Sequence, residues 1–144
     1  MSVRTPLLAA VLLSACASAR LSESDSNMNA IAESYVKLVL AVGQHDANYV
    51  DAYYGPPEWK ASADSAKLPL DEILRRADAA ITQLGPVPAG DDLPALRNRY
   101  LRTQLSSLRA RVRMLQGQRF TFDEESKALY DAVAPRTTTH ISSA

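Results

Sequence analysis

The sequence predicts an all-α protein: four or five antiparallel helices in a small bundle or array, following a cleaved export signal. Three observations carry this expectation. Apolar residues recur at helical spacing in stretches that open on a cap residue or proline and close on glycine or proline. No segment alternates apolar and polar residues as a half-buried strand does. The loops between stretches are short, which folds successive helices back on one another.

The elements follow in order. Met1 to Thr5 form a short n-region with one positive charge at Arg4, and Pro6 to Leu13 form an apolar run, so residues 1–15 read as an export signal. Residues 16–29 are polar and lack an apolar period, as expected of a flexible tether. Asn29 is the expected cap of a helix over residues 30–43, with Ile31, Tyr35, Leu38, Val39 and Val42 on one face and Gly43 at its end. Val36 and Leu40 add apolar surface on its far side, which places this helix between others. Asp46 opens a shorter expected helix over 46–54, stopped by Gly55-Pro56-Pro57.

Pro69 starts the next helix, over 69–84, with Leu70, Ile73, Leu74, Ala77, Ile81 and Leu84 on one face before Gly85-Pro86. The longest runs over 92–116 from a cap at Asp92, with Leu93, Leu101, Leu105, Leu108, Val112 and Leu115 as its apolar stripe and Gly117 at its end. Thr121 with Glu124 matches a capping box and opens a last helix over 123–134, which carries Leu129, Tyr130 and Val133. Residues 30–134 thus form one helical domain, and 135–144 a polar tail.

Sixteen basic and sixteen acidic residues cancel, so net charge supplies no drive toward nucleic acid or an anionic membrane. A single cysteine, Cys16, excludes an intramolecular disulfide, and packing alone must hold the fold.

Leu13-Ser14-Ala15-Cys16 resembles the lipobox of bacterial lipoproteins, in which the cysteine is lipidated and becomes the first residue after cleavage. The resemblance implies a membrane anchor on Cys16, and Ala17 after it implies an outer-membrane lipoprotein facing the periplasm. Ordinary secretory cleavage is the competing reading, since Ala15-Cys16-Ala17 and Ala17-Ser18-Ala19 both fit an A-x-A site. A spanning helix is excluded by length: the uncharged stretch from Thr5 to Ala19 falls short of the ~20 residues a bilayer needs.

Tyr-Val-Asp-Ala-Tyr-Tyr-Gly-Pro-Pro-Glu-Trp from Tyr49 to Trp59, with Tyr100-Leu101 and Phe122 to Tyr130, resembles the N-terminal helical region of longer bacterial proteins similar to zinc peptidases of unassigned substrate. In that family the zinc site is an HExxH-like helix far downstream. This chain holds only His45 and His140 and no such motif, so the resemblance carries over no catalytic residue. It implies a non-catalytic region of a zinc-peptidase-like lipoprotein. The alternative is a stand-alone helical envelope lipoprotein acting as a binding or interaction module.

Three constellations have chemical potential. His45-Asp46 with Asp51 and Glu58 lacks the paired histidines of a zinc site and reads as a helix cap beside a solvated histidine, so no metal and no cofactor are expected. Tyr49, Tyr53, Tyr54 and Trp59 form an aromatic cluster, expected to pack an elbow between helices, with a ligand platform as the alternative. Seven arginines and no acid lie between Leu93 and Phe122. Neutral total charge, the export signal and the lack of interleaved aromatics argue against nucleic acid. Among them Arg102, Arg109 and Arg113 are expected to face solvent without partners.

Arg97, Gln104 and Arg111 instead recur at i, i+7, i+14 on or beside the apolar stripe. A guanidinium there needs an acceptor. The expected sources are carboxylates on the 69–84 helix or at Asp123 to Glu125, or a docking partner: a downstream domain or an envelope protein.

Overall fold

The computed structural model describes the backbone of residues 8–133 and 135, and side chains from Asp25 onward within that span. The side chains of the export signal and of Cys16, and the tail beyond Pro135, lie outside the described residues. Five α-helices are present and no strand occurs among the described residues: α1 (Leu8–Val42), α2 (Pro57–Ala66), α3 (Leu70–Gln83), α4 (Leu93–Leu115) and α5 (Phe122–Tyr130). The all-α class expected from the sequence is the observed one.

α1 departs from expectation at its start. Residues 16–29 continue the helix instead of forming a tether, and Asn29 lies inside α1 instead of capping it. That stretch holds no glycine or proline, and extending an existing helix avoids the cost of a new nucleus. α1 ends at Gly43, where a Cβ would stand 3.2 Å from Val50 Cγ2 and 3.3 Å from the Leu40 carbonyl oxygen. The glycine lets the chain fold back closely against the helix end.

The expected helix over 46–54 does not form. The Asp46 side chain accepts a hydrogen bond from the Asn48 amide at 3.2 Å, and the Tyr49 amide donates to the Asp46 carbonyl at 3.0 Å, which gives tight turns in place of a helix. The helix lies downstream instead. Pro57, expected as a stop, occupies the N1 position of α2, where its missing N–H costs nothing and its fixed φ suits a first turn. α2 ends at Lys67 in the left-handed conformation (φ 41°) and buries no residue.

The last three helices match expectation more closely. Pro69 is the N-cap of α3 rather than its first residue, and its carbonyl accepts from Ile73 N at 3.1 Å. Asp92 caps α4 by accepting from Ala95 N at 3.0 Å. The Thr121–Glu124 capping box opens α5. α5 stops at Asp131, which turns left-handed (φ 54°), so the expected continuation to 134 is absent.

The core is built by three helices. Ile31, Leu38 and Val42 of α1 meet Ile73, Ala77 and Ala80 of α3 and Leu101, Leu105, Leu108 and Val112 of α4, all buried. Leu40, on the far side of α1, is also buried, and α1 packs against α2, α3 and α4. At ~25 cal/mol per Å² these aliphatic side chains supply the main drive to fold. α5 packs only on α4, buries no residue and acts as a lid along one flank.

Pairing across the interfaces sets the directions. Leu84 meets Asn98, Asp78 meets Arg109 and Asp71 meets Gln116, so α3 and α4 run antiparallel. Asn29 meets Arg97, Tyr35 meets Gln104 and Asp46 meets Arg111, so α1 and α4 run parallel. The expectation of antiparallel neighbours thus holds for the α3–α4 hairpin but not for α1 with α4, because the 46–56 segment and α2 carry the chain back before α3 begins.

Candidate functional site

α4 is the one helix touched by α1, α3 and α5, and its polar flanks hold the chemistry. Toward α1, the three groups at i, i+7, i+14 each find an acceptor or donor. An Arg97 terminal nitrogen donates to Asn29 Oδ1 at 2.7 Å. Tyr35 donates its hydroxyl to Gln104 Oε1 at 3.1 Å. Arg111 donates Nε and one terminal nitrogen to Asp46 Oδ2 at 2.9 and 2.6 Å. These partners come from α1 and the turn after it. The expected carboxylates of α3 and of Asp123 to Glu125 are not used, because α1 and not α3 lies along this face.

The Asp46–Arg111 pair is the ionic rung of this ladder. The Asp46 side chain is 11% exposed and that of Arg111 34%. The hydrogen bond from Arg111 holds the Asp46 carboxyl below its ordinary range. Burial, then the neighbouring phenols Tyr49 and Tyr100, pushes Tyr35 from 10.0 up to about 12, so it is a neutral donor throughout the physiological range. Burial likewise raises Tyr49.

The opposite flank overturns one expectation. Arg102, Arg109 and Arg113 are half-buried, not solvated. Arg102 donates to the Gly85 carbonyl beyond the end of α3, and Arg109 Nε stands 2.6 Å from Asp78 Oδ1. With α5 folded over α4, these arginines line a cleft of ≈ 440 Å³ together with Ser106, Phe120 and Lys127. Lys127 and Phe120 were not singled out in the sequence, since nothing local to them shows that α5 returns along α4.

Asn98 was also missed. It is 2% exposed, the one buried polar residue among the described residues, and donates Nδ2 to the Leu84 carbonyl at 2.8 Å, which satisfies the C-terminus of α3. Its signal was weak: a polar residue among apolar ones at core spacing.

The four aromatic residues do not form one cluster, since Tyr54 stands in solvent. Tyr49 packs at the core edge, and Tyr53 donates its hydroxyl to the Pro56 carbonyl at 3.1 Å with its ring over Gly55, where a Cβ would collide with it. Tyr54 is 96% exposed, and Trp59 takes the Lys37 ammonium at 5.0 Å from its ring centroid. With no 46–54 helix, the spacing that was to stack the tyrosines is lost. His45 is exposed, and its Nε2 donates to the Leu68 carbonyl at 2.7 Å. No group of three or more potential metal-ligating side chains occurs among the described residues.

One apolar face is bare. Leu93, placed in the core stripe by its spacing, is exposed, as are Leu96 and Tyr100 one and two turns on. Leu93 is the first residue of α4, set off from the core by the turn that carries the Asp92 cap. α5 reaches only to Tyr130, which lies beside Ser107, and leaves this N-terminal half of α4 uncovered.

No helix among the described residues is long and apolar enough to cross a membrane. Together the flanks can bind ions and neutral donors, and they offer no nucleophile paired to a base. Comparison with protein-family models, with curated proteins and with solved structures finds no match for this chain.

Proposed function

We propose that this protein is a lipid-anchored helical binding module of the bacterial cell envelope, exported by residues 1–15, held to the outer membrane through Cys16, and acting by binding without catalysis. The observation that carries the reading is the closed ladder on α4. Arg97, Gln104 and Arg111 are satisfied by Asn29, Tyr35 and Asp46, so the three-helix core needs no second domain to pair its polar line. A self-paired bundle on a membrane-proximal helix suits a tethered binder.

Expression in a bacterium tests it. The protein is expected to fractionate with membranes and to gain the mass of a lipid modification, and Cys16→Ser to abolish both. A soluble protein with its N-terminus at Ala17 or later overturns the anchor. Elemental analysis is expected to find no stoichiometric zinc; one tightly held zinc per chain overturns the non-catalytic reading.

The bare Leu93–Leu96–Tyr100 face favours a second reading, in which the module is the N-terminal region of a longer zinc-peptidase-like protein and docks its HExxH-bearing part there. The DNA beyond codon 144 decides between them. A frame that continues into an HExxH-like helix supports the longer protein, and a stop followed by an unrelated gene overturns it.

A further inference from the structure

Four cations converge where α5 folds over α4. Arg102, Arg109 and Arg113 come from one side of α4 and Lys127 from α5, while Asp131 is the one carboxylate that lines the same cleft. Helical geometry fixes the α4 part: positions i, i+7 and i+11 share a flank, and Arg109 and Arg113, four residues apart, stand about 6 Å apart along the axis.

Lys127 Nζ pairs with Asp131 at 2.5 Å, with both side chains exposed, and the in-chain partners of the arginines do not exhaust them. Arg102 donates one terminal nitrogen to the Gly85 carbonyl, and its buried Nε has no hydrogen-bond partner within the described protein. Arg109 Nε touches Asp78 too far off line for a hydrogen bond. Arg113 makes no ion pair among the described residues. A buried donor on a cation is costly to leave unmade, at about 1–3 kcal/mol or more, and such groups ordinarily have an acceptor.

We propose that the α4–α5 cleft is a binding site for a phosphate-bearing anion, with Arg109 and Arg113 clamping the phosphate from α4 and Lys127 closing on it from α5. Guanidinium forks match tetrahedral phosphate oxygens, and the multiple charge of a phosphate answers the local cation excess better than one carboxylate does. Ser106 adds a hydroxyl donor, and Phe120 offers an apolar wall to whatever the phosphate is esterified to. The site names a ligand class for the binding-module reading. It needs neither export nor lipidation, so an unanchored protein that binds phosphate leaves it standing.

The test uses the full-length Cys16→Ser chain, titrated calorimetrically with inorganic phosphate and sedimented with vesicles of phosphatidylglycerol or of phosphatidylcholine. Saturable phosphate binding is expected. Arg113→Gln combined with Lys127→Gln is expected to weaken it about tenfold or more, Arg97→Gln on the opposite flank by less than about twofold, and Arg113→Lys with Lys127→Arg to retain it. Retention by phosphatidylglycerol but not phosphatidylcholine vesicles, lost in the double glutamine variant, identifies a lipid headgroup as the source. Phosphate binding with no vesicle preference identifies a free phosphate compound. Absence of saturable phosphate binding, or an equal loss in Arg97→Gln, overturns the proposal, provided each variant keeps the wild-type helical circular dichroism.

Discussion

On the α1 side of α4, Arg97, Gln104 and Arg111 each meet one partner, and Arg111 is neutralised by Asp46. On the α5 side, Arg102, Arg109 and Arg113 are joined by a fourth cation, Lys127, and the four find a backbone carbonyl and two carboxylates, Asp78 and Asp131. Both rows consist of long polar side chains at helical spacing on one helix. What separates them is the neighbour. α1 and its following turn bring a carboxylate, an amide and a phenol to the first row, whereas α5 brings to the second an ammonium whose carboxylate partner, Asp131, lies at the end of its own helix. The difference teaches that a basic run on a helix has no fixed role until the facing elements are known.

The largest expected effect tests the core from which both flanks project. Leu105→Ala removes a fully buried side chain between α1 and α3 and is expected to cost about 2–5 kcal/mol in denaturant unfolding. A loss of a few tenths would place Leu105 in solvent and dissolve the distinction between flanks. Next comes Asn98→Ala, which leaves the Leu84 carbonyl buried and unpaired at the end of α3; the expected cost is about 1–3 kcal/mol. An unchanged midpoint would show that this end of α3 is open to water.

Acid sharpens the contrast more gently. The folded Asp46 carboxyl titrates below its unfolded value because Arg111 hydrogen-bonds it. Its contribution is therefore fully present above an unfolded pKa of about 3.9 and is lost as pH falls through the lower folded value. The stability gap between wild type and Asp46→Asn is expected to be constant above about pH 5 and to narrow below about pH 4; a gap that widens on acidification contradicts the pairing. The smallest effect concerns how α5 is held in register over the cleft. Thr121→Ala removes the capping box and is expected to cost about 1 kcal/mol, read as a lowered melting temperature. No change would mean that α5 is positioned by its packing on α4 alone.

Much of this molecule was legible in advance, and the illegible parts share a cause. α3, α4 and α5 announce themselves because Pro69, Asp92 and the Thr121–Glu124 pair act within a single turn, and local chemistry decides local starts. The core positions Ile73, Leu101, Leu105 and Leu108 followed from periodicity alone. Pro57 misled because a proline after a candidate helix and a proline opening the next look identical in sequence, and Asp46 misled because its carboxylate serves Asn48 and Arg111 and not a helix start. In the candidate site, the row at 97, 104 and 111 was recognisable as needing partners. Its partners were not, because Asn29, Tyr35 and Asp46 lie some 65 or more residues away and the parallel course of α1 and α4 depends on the whole 46–69 excursion. The solvent exposure expected of Arg102, Arg109 and Arg113 failed for the same reason: α3 and the turn after it meet Arg109 and Arg102, and α5 returns along the same flank.

The closed ladder is the central claim, and a double-mutant cycle on Asp46→Ala and Arg111→Ala tests it most directly. Unfolding free energies of the wild type, both single variants and the double variant at neutral pH give the coupling between two groups 65 residues apart in the chain. The half-exposed guanidinium discounts the pair, so a coupling of about 1 kcal/mol is expected. A coupling within about 0.3 kcal/mol of zero would mean that the two side chains do not meet and that the row on α4 is open.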